Sequence, residues 1–292
     1  MLTHVAFKIA RRRVLKGQGA NDDVSRWTAS RANYLAWREA ENMAHLSANF
    51  DPSWVAGRDV LEFGCGEGFL ASAIAASGAR SVLGLDMNPK AIADATQRVA
   101  QGASEVQPTF RVARDPSRID ADDASFDLIC SFDVMEHVSE YRAIIREWHR
   151  VLRTGGRAWI VWQPYRHPYG HHLTEWAPLP WGHLILGQRR MLRIAERIID
   201  EPAFRPPYYD VEPDGSRRNR FRGQDSFGNY LNDLTTGEFE RIVRETGLLI
   251  LRRQITPVLA RGRAGAVTRL LVQVPWLKEL FIAQAAYELE RI

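Results

Sequence analysis

Between residues 58 and 162 the chain alternates short apolar runs with longer amphipathic ones. The run at 60–63 (Val-Leu-Glu-Phe) passes straight into glycines, and further short runs stand at 81–85, 109–112, 126–131 and 157–162. Their length and composition predict strands. The stretches between them at 69–77, 89–101 and 138–152 read as helices, the first rich in Ala. Strands separated by single helices pair in parallel, and right-handed crossovers put helices on both faces of one sheet. A doubly wound, mostly parallel α/β sheet is therefore expected.

The alternation stops at Gln163, where a segment rich in Trp, Tyr, His, Pro and Arg runs to 233 with one clear helix near 189–199. It resumes at 234–239, where Thr235 or Thr236 can cap a helix reaching Glu245. Gly247 ends that helix, and 248–255 reads as a strand. Residues 260–292 are basic and apolar, and read as mostly helical after Pro275. At the other end, residues 1–20 read as a basic, flexible lead-in closing on Gly17-Gln18-Gly19. A helix follows over 22–47, with Val24, Trp27, Tyr34, Leu35, Met43 and Leu46 roughly on one side, until Asp51-Pro52 breaks it. Four parts result: an N-terminal basic segment and helical cap (1–50), a core (51–162), an insertion after the fifth strand (163–233), and the end of the sheet with a C-terminal helical segment (234–292).

Composition changes this picture little. With 292 residues, 45% hydrophobic and 25% charged, the chain is ordinary for a globular protein. A net charge of +4 does not identify a nucleic-acid partner, which needs basic residues clustered in space. The local clusters, Arg11-Arg12-Arg13 with Lys16 and Arg217, Arg218, Arg220 and Arg222, read first as solvated faces. Cys65 and Cys130 both lie in apolar runs and read as reduced thiols. No run approaches the length of a membrane span, and the apolar-then-basic N-terminus reverses the order of a signal peptide. A cytoplasmic protein is expected, monomeric or homodimeric, with peripheral membrane contact open to it.

The first strand ends Glu62-Phe63-Gly64-Cys65-Gly66-Glu67-Gly68. Glycines there permit a sharp turn and close approach of a ligand to the backbone. The spacing is too short for the dinucleotide fingerprint G-x-G-x-x-G. The second strand ends at Asp86-Met87, and an acid there can accept hydrogen bonds from both ribose hydroxyls of more than one kind of cofactor. Asp115-Pro116 follows the third strand; Ser125-Phe126-Asp127 opens the fourth, which leads through Ser131-Phe132 to Glu136-His137. Val151-Leu152-Arg153-Thr154-Gly155-Gly156 then turns into the fifth.

In order and spacing, this set resembles the UbiE/UbiG-like class I S-adenosylmethionine (SAM)-dependent methyltransferases, often grouped as type 11. The resemblance covers residues 58–162, with a weaker echo at 234–255. It implies a Rossmann-like, seven-stranded sheet with SAM as cofactor and S-adenosylhomocysteine as product. It also implies that Glu62 and the backbone of Gly64, Cys65, Gly66 and Gly68 hold the methionine end, and that Asp86 holds the ribose. Met87 would pack on the adenine, Asp115 would meet its amino group with Pro116 beside it, and Ser131 and Phe132 would line the sulfonium side. Three departures stand out: Ala113-Arg114-Asp115-Pro116 where Gly-Asp-Ala is usual, Ile119-Asp120-Ala121 for Leu-Pro-Phe, and Thr154 for the usual Pro.

The acceptor of such an enzyme binds over the carboxyl ends of the strands, where insertions gather. The 163–184 segment, with His167, His171, His172 and His183 among Tyr165, Tyr169, Trp176 and Trp181, is the expected acceptor wall. His137, His171 or His172 is the base where one is needed. His171 and His172 with Glu175 show no standard ligand spacing, so no metal is expected. The reading is methyl transfer to a small-molecule acceptor, at oxygen before nitrogen or carbon. The alternatives are methylation of a membrane lipid, quinone or lipid-linked glycan, or a SAM-binding regulatory protein without turnover. Nucleic acid is not expected, because Ser131-Phe132-Asp133-Val134 stands where amino-methylating nucleic-acid enzymes carry Asn/Asp-Pro-Pro-Tyr/Phe.

Overall fold

The computed structural model describes residues 2–19, 29–100, 106–228, 230–259 and 262–292. In chain order the elements are α1 (Leu2–Gly19), α2 (Arg31–Asn49), β1 (Asp59–Phe63), α3 (Phe69–Ala76), β2 (Ser81–Asp86), α4 (Pro89–Val99), β3 (Thr109–Val112) and β4 (Phe126–Phe132). There follow α5 (Tyr141–Val151), β5 (Leu152–Trp162), α6 (Gly182–Ile185), α7 (Gln188–Ile199), α8 (Thr236–Glu245), β6 (Leu248–Pro257), α9 (Gly262–Leu271), α10 (Lys278–Phe281) and β7 (Ile282–Arg291). Seven strands make one sheet in the order β3-β2-β1-β4-β5-β7-β6. The first five pair in parallel; β7 runs antiparallel between β5 and β6. Strand order reverses between β1 and β4, which opens a crevice at their carboxyl ends.

The central strands are apolar on both faces because both are covered. Leu61, Ile129 and Ile160 pack with Trp148, Phe239 and Tyr287 on one side, while Val60, Leu128 and Val161 pack with Leu70, Ile74 and Phe50 on the other. At the opposite end of the sheet from the crevice, Asp127 accepts from the Asp59 N–H at 2.8 Å and pairs with Arg153 at 2.9 Å. Asp59 pairs with Arg80 and Arg153, and these bonds hold its carboxyl well below the usual range. Asp127 is thus a structural tie between β1 and β4.

Two expectations are corrected. The chain after Pro275 is not mostly helical: after the single turn α10 it forms β7. Ala-rich Ile282–Arg291 has good helix formers, but the slot between β5 and β6 buries Ile282, Ala285, Tyr287 and Leu289 completely, and that burial outweighs propensity. The N-terminal segment is not a loose lead-in either. It is an 18-residue helix whose Ala6, Phe7, Ala10 and Val14 join the insertion's Leu179, Leu192, Ala195 and Ile199 in a core of their own. Leu2, Val5 and Ile9 remain on its exposed side. The helix expected over 22–47 is seen as α2; its first part, with Val24 and Trp27, lies outside the described residues. No helix among the described residues is long and apolar enough to cross a membrane.

Candidate active site

The glycine loop crosses the crevice in a conformation that only glycine adopts easily. Gly64, Gly66 and Gly68 have φ of +79°, +51° and +71°. A Cβ on Gly64 would lie 2.3 Å from Val134, and one on Gly68 would lie 2.5 Å from Phe110. At Gly66 a Cβ would meet nothing within 4 Å, so the backbone there faces open space. Asp86 ties this loop to β2: its Oδ2 accepts from the Gly66 N–H at 2.9 Å and its Oδ1 from the Asn88 N–H at 2.8 Å. Each oxygen keeps a lone pair for a ligand hydroxyl.

Beneath the loop, Glu62 is 4% exposed, and its Oε2 has no partner. Burial pushes its carboxyl up to about 8, against the pull of the Ala71 N–H. A buried carboxyl with a vacant acceptor is the chemistry that an ammonium group of a ligand would complete. Ser131 Oγ, also buried, lacks a partner too. The donor set fits an amino-acid end above Glu62 and a ribose at Asp86.

Other expected contacts fall differently. Strand alternation sends Phe132 to the opposite side from Ser131, where it stacks on Phe50 at 5.7 Å in the core. The Phe132 ring therefore does not face the crevice. Cys65 is buried, which pushes its thiol up. Met87 is 61% exposed and free to lie against a flat ligand. Asp115 and Pro116 sit in an exposed turn after β3, where Asp115 Oδ1 accepts from the Ser117 N–H and hydroxyl.

A cavity of about 710 Å³ opens beside the loop, between the end of β4, α2 and the insertion. Glu67, Asp133, Glu136 and His137 line its floor, and Tyr34, Trp37, Arg38 and Glu41 come from α2. The insertion adds His167, His172, Glu175, Trp176, Tyr208, Tyr209, Arg220 and Tyr230. Of the three expected bases, His137 and His172 reach the cavity, with rings 5.1 Å apart. His137 Nδ1–H donates to the Tyr230 carbonyl at 2.6 Å, which leaves Nε2 as the acceptor. Burial lowers the basicity of His137, and lowers that of His172 much further, to about 3. His172 is also held at φ +51°, in the left-handed region. His171 is set aside: it is fully buried outside the cavity, Nδ1 accepts from the Leu173 N–H, and Nε2–H donates to the Leu179 carbonyl.

The sequence reading missed α2's contribution. Tyr34, Trp37, Arg38 and Glu41 recur at helical spacing, and a polar pair interrupting an aromatic stripe was the available signal. Arg38 donates to Asp133 at 3.1 Å and to Glu41 at 2.8 Å. Burial would raise the Asp133 carboxyl, but His45 and Arg38 hold it below its usual value. Glu41, His45 and Asp133 are close enough to share a cation, yet Arg38 already occupies both carboxylates. The arginines at 217–222 are likewise committed. Arg217 donates to carbonyls of Ile199, Glu201 and Pro202 at the end of α7, Arg220 pairs with Asp210, and Arg218 and Arg222 meet Glu212 and Asp200.

Comparison with known proteins agrees with this geometry. Residues 61–160 match the family model described as a methyltransferase domain. Over 106 residues the chain is 34% identical to the ubiquinone biosynthesis O-methyltransferase of Pseudomonas aeruginosa, covering 36% of this chain and 44% of the relative. A "probable S-adenosylmethionine-dependent methyltransferase" of Mycolicibacterium smegmatis is 38% identical over 112 residues, 38% of this chain and 40% of that one. The chain thus spans less than half the length of the curated relatives it matches. Among solved structures, the [4+2]-cyclase SpnF superimposes with a TM-score of 0.52 at 15% identity, over 87% of this chain and 80% of that one. Residues 61–160 therefore form a methyltransferase domain similar to those of class I SAM-dependent enzymes of the UbiE/UbiG-like type, whose cofactor is SAM. The cyclase shares the fold alone, and a shared fold does not fix the reaction.

Proposed function

We propose that the protein transfers the methyl group of SAM to a hydroxyl of a small molecule held in the cavity. The observation that carries this reading is His137, whose Nδ1 is fixed by a backbone carbonyl and whose Nε2 is left as acceptor on the cavity wall beside the glycine loop. When bound, SAM supplies an electrophilic methyl carbon and a neutral thioether leaving group. The chain's part is to align the acceptor and take its proton. His137 Nε2 would take the hydroxyl proton as the acceptor oxygen gains the methyl carbon that SAM would supply, the thioether leaving with its electron pair. Asp133, close enough to raise the basicity of His137, favours the imidazolium that results. The O-methyltransferase name of the Pseudomonas relatives supports oxygen as the target.

Calorimetry with S-adenosylhomocysteine tests the cofactor half. Asp86→Ala should weaken binding by roughly 1.5–3 kcal/mol, as expected for lost charged hydrogen bonds. Acceptor-dependent formation of S-adenosylhomocysteine across a panel of phenols and alcohols tests the other half. His137→Gln should lower kcat by about 10²–10⁴-fold while leaving cofactor affinity near wild type. Undiminished turnover in that variant removes His137 as the base.

A further inference from the structure

One wall of the cavity, running from Tyr34 and Tyr208 near Glu67 to Trp176, is aromatic, and a carboxylate without an ion-pair partner among the described residues stands on it. Tyr34 lies 5.8 Å from Trp37 and 5.9 Å from Tyr208, Tyr208 lies 5.1 Å from Tyr209, and Tyr209 lies 6.2 Å from Trp176. These rings form one continuous surface. It already accepts cations: the Arg220 guanidinium stands 4.7 Å from the Tyr209 ring centre and the Arg38 guanidinium 5.6 Å from that of Trp37. Both are neutralised, Arg38 by Asp133 and Glu41, Arg220 by the fully buried Asp210 at 2.5 Å.

Glu175 makes no ion pair among the described residues, and it accepts from the Thr174 hydroxyl at 3.3 Å. Burial pushes its carboxyl up to about 6, against the pull of its own N–H, Thr174 and the more distant Arg220, so it is mostly ionised at neutral pH. Burial raises the pKa of Tyr34, Tyr209 and Tyr230, and the Glu175 carboxyl lies close enough to each phenol to add to that. Glu136, 2% exposed on the same cavity, has no hydrogen-bond partner for either carboxylate oxygen, and burial, with Asp133 nearby, pushes its carboxyl well up, so the wall's charge rests on Glu175. His137, His167 and His172 are all made less basic by burial and add no positive charge at neutral pH. An anionic acceptor would meet repulsion here. A cation would find a carboxylate and the faces of several rings, the two things that attract it most in a partly dry site.

We propose that the acceptor carries a permanent or protonated nitrogen cation, seated against Glu175 and the Tyr34–Tyr209–Trp176 wall, at a distance from the hydroxyl that is methylated. The inference rests on the methyl-transfer reading and narrows its substrate class to cationic amino alcohols and amino phenols. The nitrogen is a handle for orientation rather than the reacting atom, so it needs no proton removed.

Choline and its uncharged isostere 3,3-dimethylbutan-1-ol have the same shape and differ in charge. Each is titrated into the complex with S-adenosylhomocysteine, with calorimetry and the fluorescence of Trp37 and Trp176 as readouts. Choline should bind at least about tenfold tighter than the isostere. Glu175→Gln should bring the two within about threefold without changing the affinity for S-adenosylhomocysteine. Equal affinities in the wild type, failure of both to bind in the tens of millimolar, or a preference that survives Glu175→Gln would each overturn the proposal. The wild-type comparison decides it even where the variant does not fold. Loss of S-adenosylhomocysteine binding by the wild-type protein is a separate result and counts against the methyl-transfer reading.

Discussion

At the scale of single residues, the proposed seat of the cofactor's ammonium group above Glu62 would couple cofactor binding to protons. Its folded pKa of about 8 stands well above the ordinary glutamate value of about 4.3. The sign follows directly: the folded protein binds this proton more tightly than the unfolded one. The stabilisation is fully present below pH about 4 and is lost as pH rises through about 8. Without cofactor the carboxyl is largely protonated at pH 7, and a ligand ammonium beside it will favour the carboxylate. S-adenosylhomocysteine titrated at pH 7 in phosphate and in Tris should therefore release up to about one proton per site. The release should vanish in Glu62→Gln. Identical heats in the two buffers would show that Glu62 does not meet the ammonium group. Glu62 and Asp86 could be singled out as candidates in the sequence because each stands near the end of a strand, and the structure places both beside the glycine loop. The Arg38–Asp133 pair could not, since its partners are 95 residues apart and neither has a local pattern that names the other.

At the scale of elements, the strands of the parallel sheet were readable because each is a short apolar run between turns. The two ends of the chain were not. Residues 282–291 carry helix formers, and only the gap between β5 and β6 makes a strand of them. Residues 2–19 look like a basic tail until their buried positions, Ala6, Phe7, Ala10 and Val14, are set against α7. The consequence for α1 is energetic. Phe7 is 6% exposed and carries the Arg197 guanidinium 3.7 Å from its ring centre. Phe7→Ala should destabilise the protein by about 3 kcal/mol, from lost burial and the cavity left behind. A urea unfolding midpoint that moves by less than about 0.5 kcal/mol equivalent would mean that α1 contributes little to the insertion's core.

At the scale of the whole molecule, the sheet's two cores and the insertion's core answer acid differently. The sheet's cores are almost wholly apolar, whereas the insertion places His171 and His183 within its fabric and His167 and His172 on its cavity wall. Burial lowers the pKa of all four, to about 4 for His167 and about 3 for His171 and His172. A depressed histidine contributes stability above the unfolded value of about 6.5, and that contribution is lost as pH falls toward the folded pKa. For His171, fully buried with both nitrogens bonded, the loss between pH 6.5 and 4.5 is about 2–3 kcal/mol. The four titrate in one segment, so their losses fall together on the insertion and on the α1 helix that shares its core. Between pH 6 and 4.5 the insertion should loosen before the sheet does. Trp176, buried in the insertion core, reports the first event, and far-ultraviolet circular dichroism reports the second. Limited proteolysis at pH 5 should cut within 163–233 and leave 58–162 intact. A single coincident transition by both probes would show that the insertion and the sheet unfold as one unit, and that the histidines weaken the whole molecule rather than the wall of its cavity.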